Sequence, residues 1–115
     1  MKDLRWLDGI PVSAMACDRN GICVFLNDQA AQTFAKDGGH ALLGQSLLDC
    51  HPEPARSRFA AQLATPRSNS YTIEKNGKKK FIHQTPWFRD GVFAGVVEMS
   101  FEIPFDLPHF TRQPS

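Results

Sequence analysis

Several features are scarce or missing from this 115-residue sequence, and each absence removes a class of protein. No run of about 18 apolar residues occurs, so the sequence offers no segment able to cross a bilayer as a helix. The three cysteines, Cys17, Cys23 and Cys50, are odd in number and never take C-x-x-C spacing. They read as reduced, mostly buried thiols of a cytoplasmic protein, not as a disulfide scaffold. Net charge is almost absent: 13 Lys and Arg against 12 Asp and Glu leave +1. No global field therefore draws the chain directly to nucleic acid or to a membrane surface. The opening "MKDLRWLDGIP" has no apolar h-region, so no secretory signal is expected there. G-x-S-x-G, the Walker loop and H-E-x-x-H are all missing, and Asp28, Asp49 and Glu53 stand too near helix starts to form an acid–base pair. The expectation is a protein that is not an enzyme.

What remains is the composition of one ordinary globular domain, 42% apolar and 22% charged. "LRWL" suggests a short turn or helix ending at Gly9. "VSAMAC" and "ICVFL" are apolar runs joined by "DRNG", a strong hairpin signal because Asn and Gly both tolerate positive φ. Asn27 is a good N-cap for a helix over 28–36, stopped by Gly38-Gly39. Short helical turns follow, and Pro52 and Pro54 introduce "ARSRFAAQL", whose Ala55, Phe59 and Leu63 form an apolar stripe. "SYTIEK", "KKFIHQTPWF" and "VFAGVVEMSFEI" then read as three strands turned by Asn76-Gly77 and Asp90-Gly91. In the last of them Glu98, Ser100 and Glu102 point one way, and Val97, Met99, Phe101 and Ile103 the other. The lysines of "KNGKKK" bracket a turn and read as a solvated tip.

Two strands, short helices and a three-stranded meander make an α+β domain. For the sheet to close into one layer, the last strand must return beside the first. That gives five antiparallel strands in the order 2-1-5-4-3, with the short helices on one face. The expected organisation is a cap segment over 1–10, the domain over 11–103 and an extended tail over 104–115.

"CDRNGICVFLNDQAAQTF", "LLGQSLLDCHP" and "WFRDGVFAGVVEMSFEI" occur in this order and spacing. Together they make the chain resemble the PAS domain family over about residues 10 to 103. The resemblance implies a PAS-like sensor or transmitting module that holds haem, flavin or a small metabolite between helices and sheet, or holds nothing and dimerises. A ligand would act by favouring one packing of helices on sheet. It implies a homodimer and a separate signalling partner, since no kinase, cyclase or DNA-binding helix pair is visible in the sequence. The runner-up functions are a ligand-free structural dimerisation domain and a haem-binding gas or redox sensor.

Photochemical flavin is argued against, because the Asn-Cys-Arg-Phe-Leu-Gln motif of that subfamily does not occur. Haem would need an axial His, and only His51 is near the expected place. "DCHPEP" reads better as a helix entrance, with His51 capping, Glu53 facing the helix dipole, and Ala55 and Phe59 pointing inward in place of His51. Adjacent Cys50 and His51 cannot readily share one tetrahedral zinc, so no metal is expected. The candidates for lining a ligand cavity are Met15, Phe34, Leu47, Phe59, His83, Thr85, Val97 and Met99. His83 and Thr85 share a strand face with Phe81 and Trp87. That face looks either into the cavity or outward onto the N-terminal segment or a second subunit. Met15, Val97 and Met99 serve equally as plain core.

Overall fold

A computed structural model describes residues 3–114. Strand β1 (Ser13–Asp18) pairs antiparallel with β2 (Cys23–Leu26). Of Asn20-Gly21 only Gly21 takes positive φ, at 81°. The Asp18 carboxylate organises the turn instead, accepting hydrogen bonds from the amides of Asn20 (2.9 Å) and Ile22 (3.0 Å). The other two hairpins follow the simpler rule, both central residues being left-handed: Asn76 and Gly77 (54° and 74°), Asp90 and Gly91 (51° and 79°). They join β3 (Asn69–Lys75), β4 (Lys78–Arg89) and β5 (Val92–Ile103).

The five strands form one antiparallel sheet in the order β2-β1-β5-β4-β3. The two halves of the chain meet at its centre, where β1 runs against β5 from Ser13 opposite Ser100 to Asp18 opposite Gly95. This is the expected α+β architecture and strand order.

Helix α1 (Asp28–Thr33) is shorter than the sequence suggests, because Phe34 already caps it and a 3₁₀ turn (Ala35–Asp37) ends on Gly38 at φ 119°. A second 3₁₀ turn (Gly39–Leu42) follows, and α2 (Ala55–Ala64) begins directly after Pro54. Ser57 donates from its amide and its hydroxyl to the Glu53 carboxylate (both 2.8 Å), which holds that carboxyl below its ordinary pKa. Thr65 ends α2 in extended conformation.

Asn27 does more than cap α1. It is fully buried, and its Oδ1 accepts from the amides of Ala14 (3.0 Å) and Ala30 (2.9 Å). Its Nδ2 donates to the carbonyls of Leu7 (2.7 Å) and Val12 (2.8 Å). One side chain thus ties the short N-terminal 3₁₀ turn (Arg5–Asp8), strand β1 and helix α1 together, and leaves none of its own polar atoms unsatisfied.

The core lies between the helices and one face of the sheet, built from Met15, Cys17, Cys23, Leu26, Ala30, Ala31, Leu42, Leu47, Leu63 and Val96. Phe34, Leu48 and Phe59 pack at its edge. Along β4 and β5 the residues sharing this inner face are Ile82, Gln84, Val96 and Glu98. By alternation, Phe81, His83, Thr85, Val97, Met99 and Phe101 occupy the outer face. There Phe81 stacks on His83 (6.2 Å between centroids) and meets Phe101 (5.8 Å).

At one point a side chain of β4 reaches across β5 to the backbone of β1. The Trp87 indole donates to the Cys17 carbonyl at 2.9 Å, passing over Gly95. A Cβ on Gly95 would lie 1.9 Å from that carbonyl oxygen and 2.8 Å from the indole nitrogen. Residues 104–114 carry no helix or strand and are exposed. No helix among the described residues is long and apolar enough to cross a membrane.

Candidate functional site

A cavity of about 250 Å³ lies between the sheet and the helices. Strand β1 contributes Met15 and Cys17, and β4 and β5 contribute Gln84, Val96 and Glu98. Phe34, at the end of α1, Asp37 and Leu42 close one side. The loop residues Leu47, Cys50 and His51, with Phe59 and Gln62 of α2, close the other. The lining is mostly apolar with a few polar groups, the make-up of a small-molecule site, and the volume is a little under the usual range. Phe34, His51, Phe59, Gln62, Gln84 and Glu98 are shared with a wider adjoining groove of about 950 Å³, which adds Arg58, Arg67, Asn69 and Tyr71.

The polar groups form a chain with one direction. Gln62 and Asn69 each donate from their side-chain amide to Gln84 Oε1 at 3.1 Å. Gln84 Nε2 in turn donates to Glu98 Oε1 at 2.9 Å. At the groove, burial and the Glu98 charge push the Tyr71 hydroxyl above its ordinary pKa. Burial pushes the Cys17 thiol up to about 11, so it lines the wall in its neutral form.

Met15, Phe34, Leu47 and Phe59 are brought together around the cavity. His83, Thr85, Val97 and Met99 are not: they lie on the outer face, one residue out of phase with Gln84, Val96 and Glu98. His83 Nδ1 is hydrogen-bonded to Ser70 (2.6 Å), and Thr85 Oγ1 accepts from Ser68 (3.1 Å). Hydrophobic alternation groups residues by face but does not say which face is covered. Here the more apolar face of β5 points away from the helices, which inverts the usual guess.

His51 corrects the reading in the other direction. It lines the cavity beside Phe59, whereas Ala55 lines only the outer groove. Its ring stacks on Phe59 at 5.2 Å, and Nδ1 donates to the Leu47 carbonyl. A carbonyl can only accept, so the Nδ1 proton is fixed and Nε2 is left as the free nitrogen. Of the other side chains of "DCHPEP", Asp49 reaches Arg56 at 3.6 Å, while Cys50 also lines the cavity, its Sγ 3.7 Å from the Ser46 carbonyl. Among the described residues no group of three metal-ligating side chains occurs.

Cys17, Asp37, Leu42, Cys50, Gln62, Gln84, Val96 and Glu98 are cavity residues that sequence reasoning missed. Gln62 had a faint signal, a polar residue beside Leu63 on the buried side of α2. Asp37 and Leu42 had none, because 3₁₀ turns lack a clean period.

The profile of the PAS fold family matches residues 7–66, just over half of the chain. Among curated proteins none matches the sequence. A C-terminal domain from Streptococcus mutans is similar in structure, with a TM-score of 0.67 and 18% identity over 84% of this chain and 79% of that one. The PAS domain of Bordetella pertussis BvgS gives 0.63 and 20%, covering 86% and 82%. The Aer2 receptor of Vibrio cholerae, described as a dual PAS-heme oxygen sensor, gives 0.58 and 20%, covering 85% and 99%.

Proposed function

The chain belongs to the PAS fold family, and on that premise we propose that it is a sensing module that takes a small metabolite into the cavity between helices and sheet. The observation that carries this reading is the cavity itself, apolar around most of its wall and crossed by the Gln62–Gln84–Glu98 chain. A purely structural domain would fill that space. Phe34 and Phe59 instead flank it, and Met99, which would have to pack on them, is on the other side of the sheet. Binding favours whichever packing of Phe34 and Phe59 against the sheet the ligand contacts best, and so shifts the population of that packing.

The role is non-catalytic, in keeping with a protonated Cys17. The outer sheet face, with Phe81, Val97, Met99 and Phe101, supports dimerisation of two copies, and a separate partner receives the signal. Cys17 and Cys23 face each other across β1 and β2 as free thiols, which suits a reducing cytoplasm. Native mass spectrometry of protein purified from its own host tests the reading: a dimer carrying a co-purified small molecule is the expected result. An empty monomer would overturn it.

One observation favours haem as the second reading. The Nδ1–H bond from His51 to a backbone carbonyl is the orienting contact that iron-binding histidines make. Against it, the macrocycle is larger than a 250 Å³ cavity, and the Phe59 ring already covers one His51 face. A Soret band on haem addition that vanishes in His51→Ala would establish it.

A further inference from the structure

The charge of the cavity wall restricts which small molecule fits. Two carboxylates, Asp37 and Glu98, line it, and neither lysine nor arginine does. Arg58 and Arg67 stand in the outer groove instead. The hydrogen bonds of the polar chain all run the same way, from Gln62 and Asn69 to Gln84 and from Gln84 to Glu98. The chain therefore ends on an acceptor. Among the described residues Gln84 is the only hydrogen-bond partner of Glu98, and no cation lies within 4.0 Å of it. A carboxylate has about four acceptor positions, so one bond leaves most of them for a guest. His51 adds a further acceptor, since its Nδ1 is committed to Leu47 and Nε2 carries the free lone pair when the ring is neutral.

Beside these acceptors stand the stacked His51–Phe59 pair and the ring of Phe34, flat surfaces suited to an aromatic body. We propose that the cavity selects a compact aromatic cation bearing N–H donors, with Glu98 as the residue that recognises its charged nitrogen group. This rests on the sensing reading above and adds the chemical class of the ligand. An anionic ligand would meet Glu98 and Asp37 with no compensating cation inside. It would lose its hydration beside two like charges.

Three probes of nearly equal size and shape separate charge from fit: benzamidine, benzamide and benzoate. Each is titrated into the full ¹⁵N-labelled chain and followed by amide shifts, which report both affinity and location. The expected order is benzamidine tightest, benzamide weaker and benzoate weakest, with shifts at Gln84, Val96 and Glu98. Glu98→Gln keeps a hydrogen-bonding side chain of the same shape and should weaken benzamidine by about tenfold while leaving benzamide nearly unchanged. Asp37→Asn, at an exposed position, serves as a second variant that preserves the fold and should narrow the gap between benzamidine and benzoate. Benzoate binding as well as benzamidine, or a benzamidine preference that survives Glu98→Gln, overturns the proposal and leaves the cavity reading standing. If no probe binds, the proposal falls. The sensing reading falls with it only if native mass spectrometry also returns an empty protein.

Discussion

The two faces of the sheet are built on opposite plans. The inner face, against the helices, mixes buried Met15, Ile82 and Val96 with Gln84 and Glu98, and leaves a cavity. The outer face gathers Phe81, Val97, Met99 and Phe101, yet Met99 stays 37% exposed. Polar groups are thus on the covered side and large apolar ones on the open side. A domain that only needed stability would place them the other way round. The inner face gives up packing density and leaves open space, while the outer face offers the apolar area on which the proposed dimer would form.

The sharpest way to break this comparison is at the tight crossing over Gly95, on which both faces depend. Gly95→Val should abolish folding or lower stability by about 4 kcal/mol or more, because its side chain would collide with the Cys17 carbonyl and displace the Trp87 indole. Urea denaturation measures it, and a near-neutral result would mean that the sheet crossing is not as tight as described. A matched pair tests the faces one at a time. Leu63→Ala, on the inner side, should cost about 3 kcal/mol, whereas Met99→Lys, on the outer side, should cost under about 1 kcal/mol and abolish the proposed dimer in sedimentation velocity. Equal losses from the two would show the outer face to be core, and the contrast would disappear.

A further expected effect concerns pH. Burial raises the Cys17 pKa to about 11 in the folded state, from an ordinary value near 9. The folded form therefore holds its proton longer than the unfolded form does. The resulting stability is complete below about pH 9 and is lost as pH rises towards 11, by roughly 2 kcal/mol. Other groups also ionise in alkaline solution, so the measurable quantity is the difference between the wild-type and Cys17→Ala profiles. Parallel profiles across that window would mean that the inner wall is wetter than its residues suggest.

Much of the architecture was legible in the sequence because local rules agreed with one another. Asn76-Gly77 and Asp90-Gly91 set the last three strands, Asn27 announced α1, and closing the sheet required the last strand to lie beside the first. The site was less legible, for reasons that can be named. Alternation in β5 separates Val97 and Met99 from Val96 and Glu98 but is symmetric with respect to inside and outside, so the apolar set was assigned to the cavity and the structure puts it outside. His51 looked like a capping group from its place before Pro52. Its side chain instead turns back to the Leu47 carbonyl, a contact set by the irregular loop 43–51, which has no period to read. The four bonds of Asn27 span up to 20 residues in sequence, and only its cap to Ala30 is a local pattern.

That asparagine has a mechanical consequence. Peeling the backbone away at Leu7 strips the amide of a partner while its other three bonds still grip Val12, Ala14 and Ala30, so a tug on the leading segment is delivered to the first turn of α1. The far end of that helix is Phe34, a wall of the cavity. The lever is a single turn and a half long, and it links the stretch before β1 to the wall of the cavity.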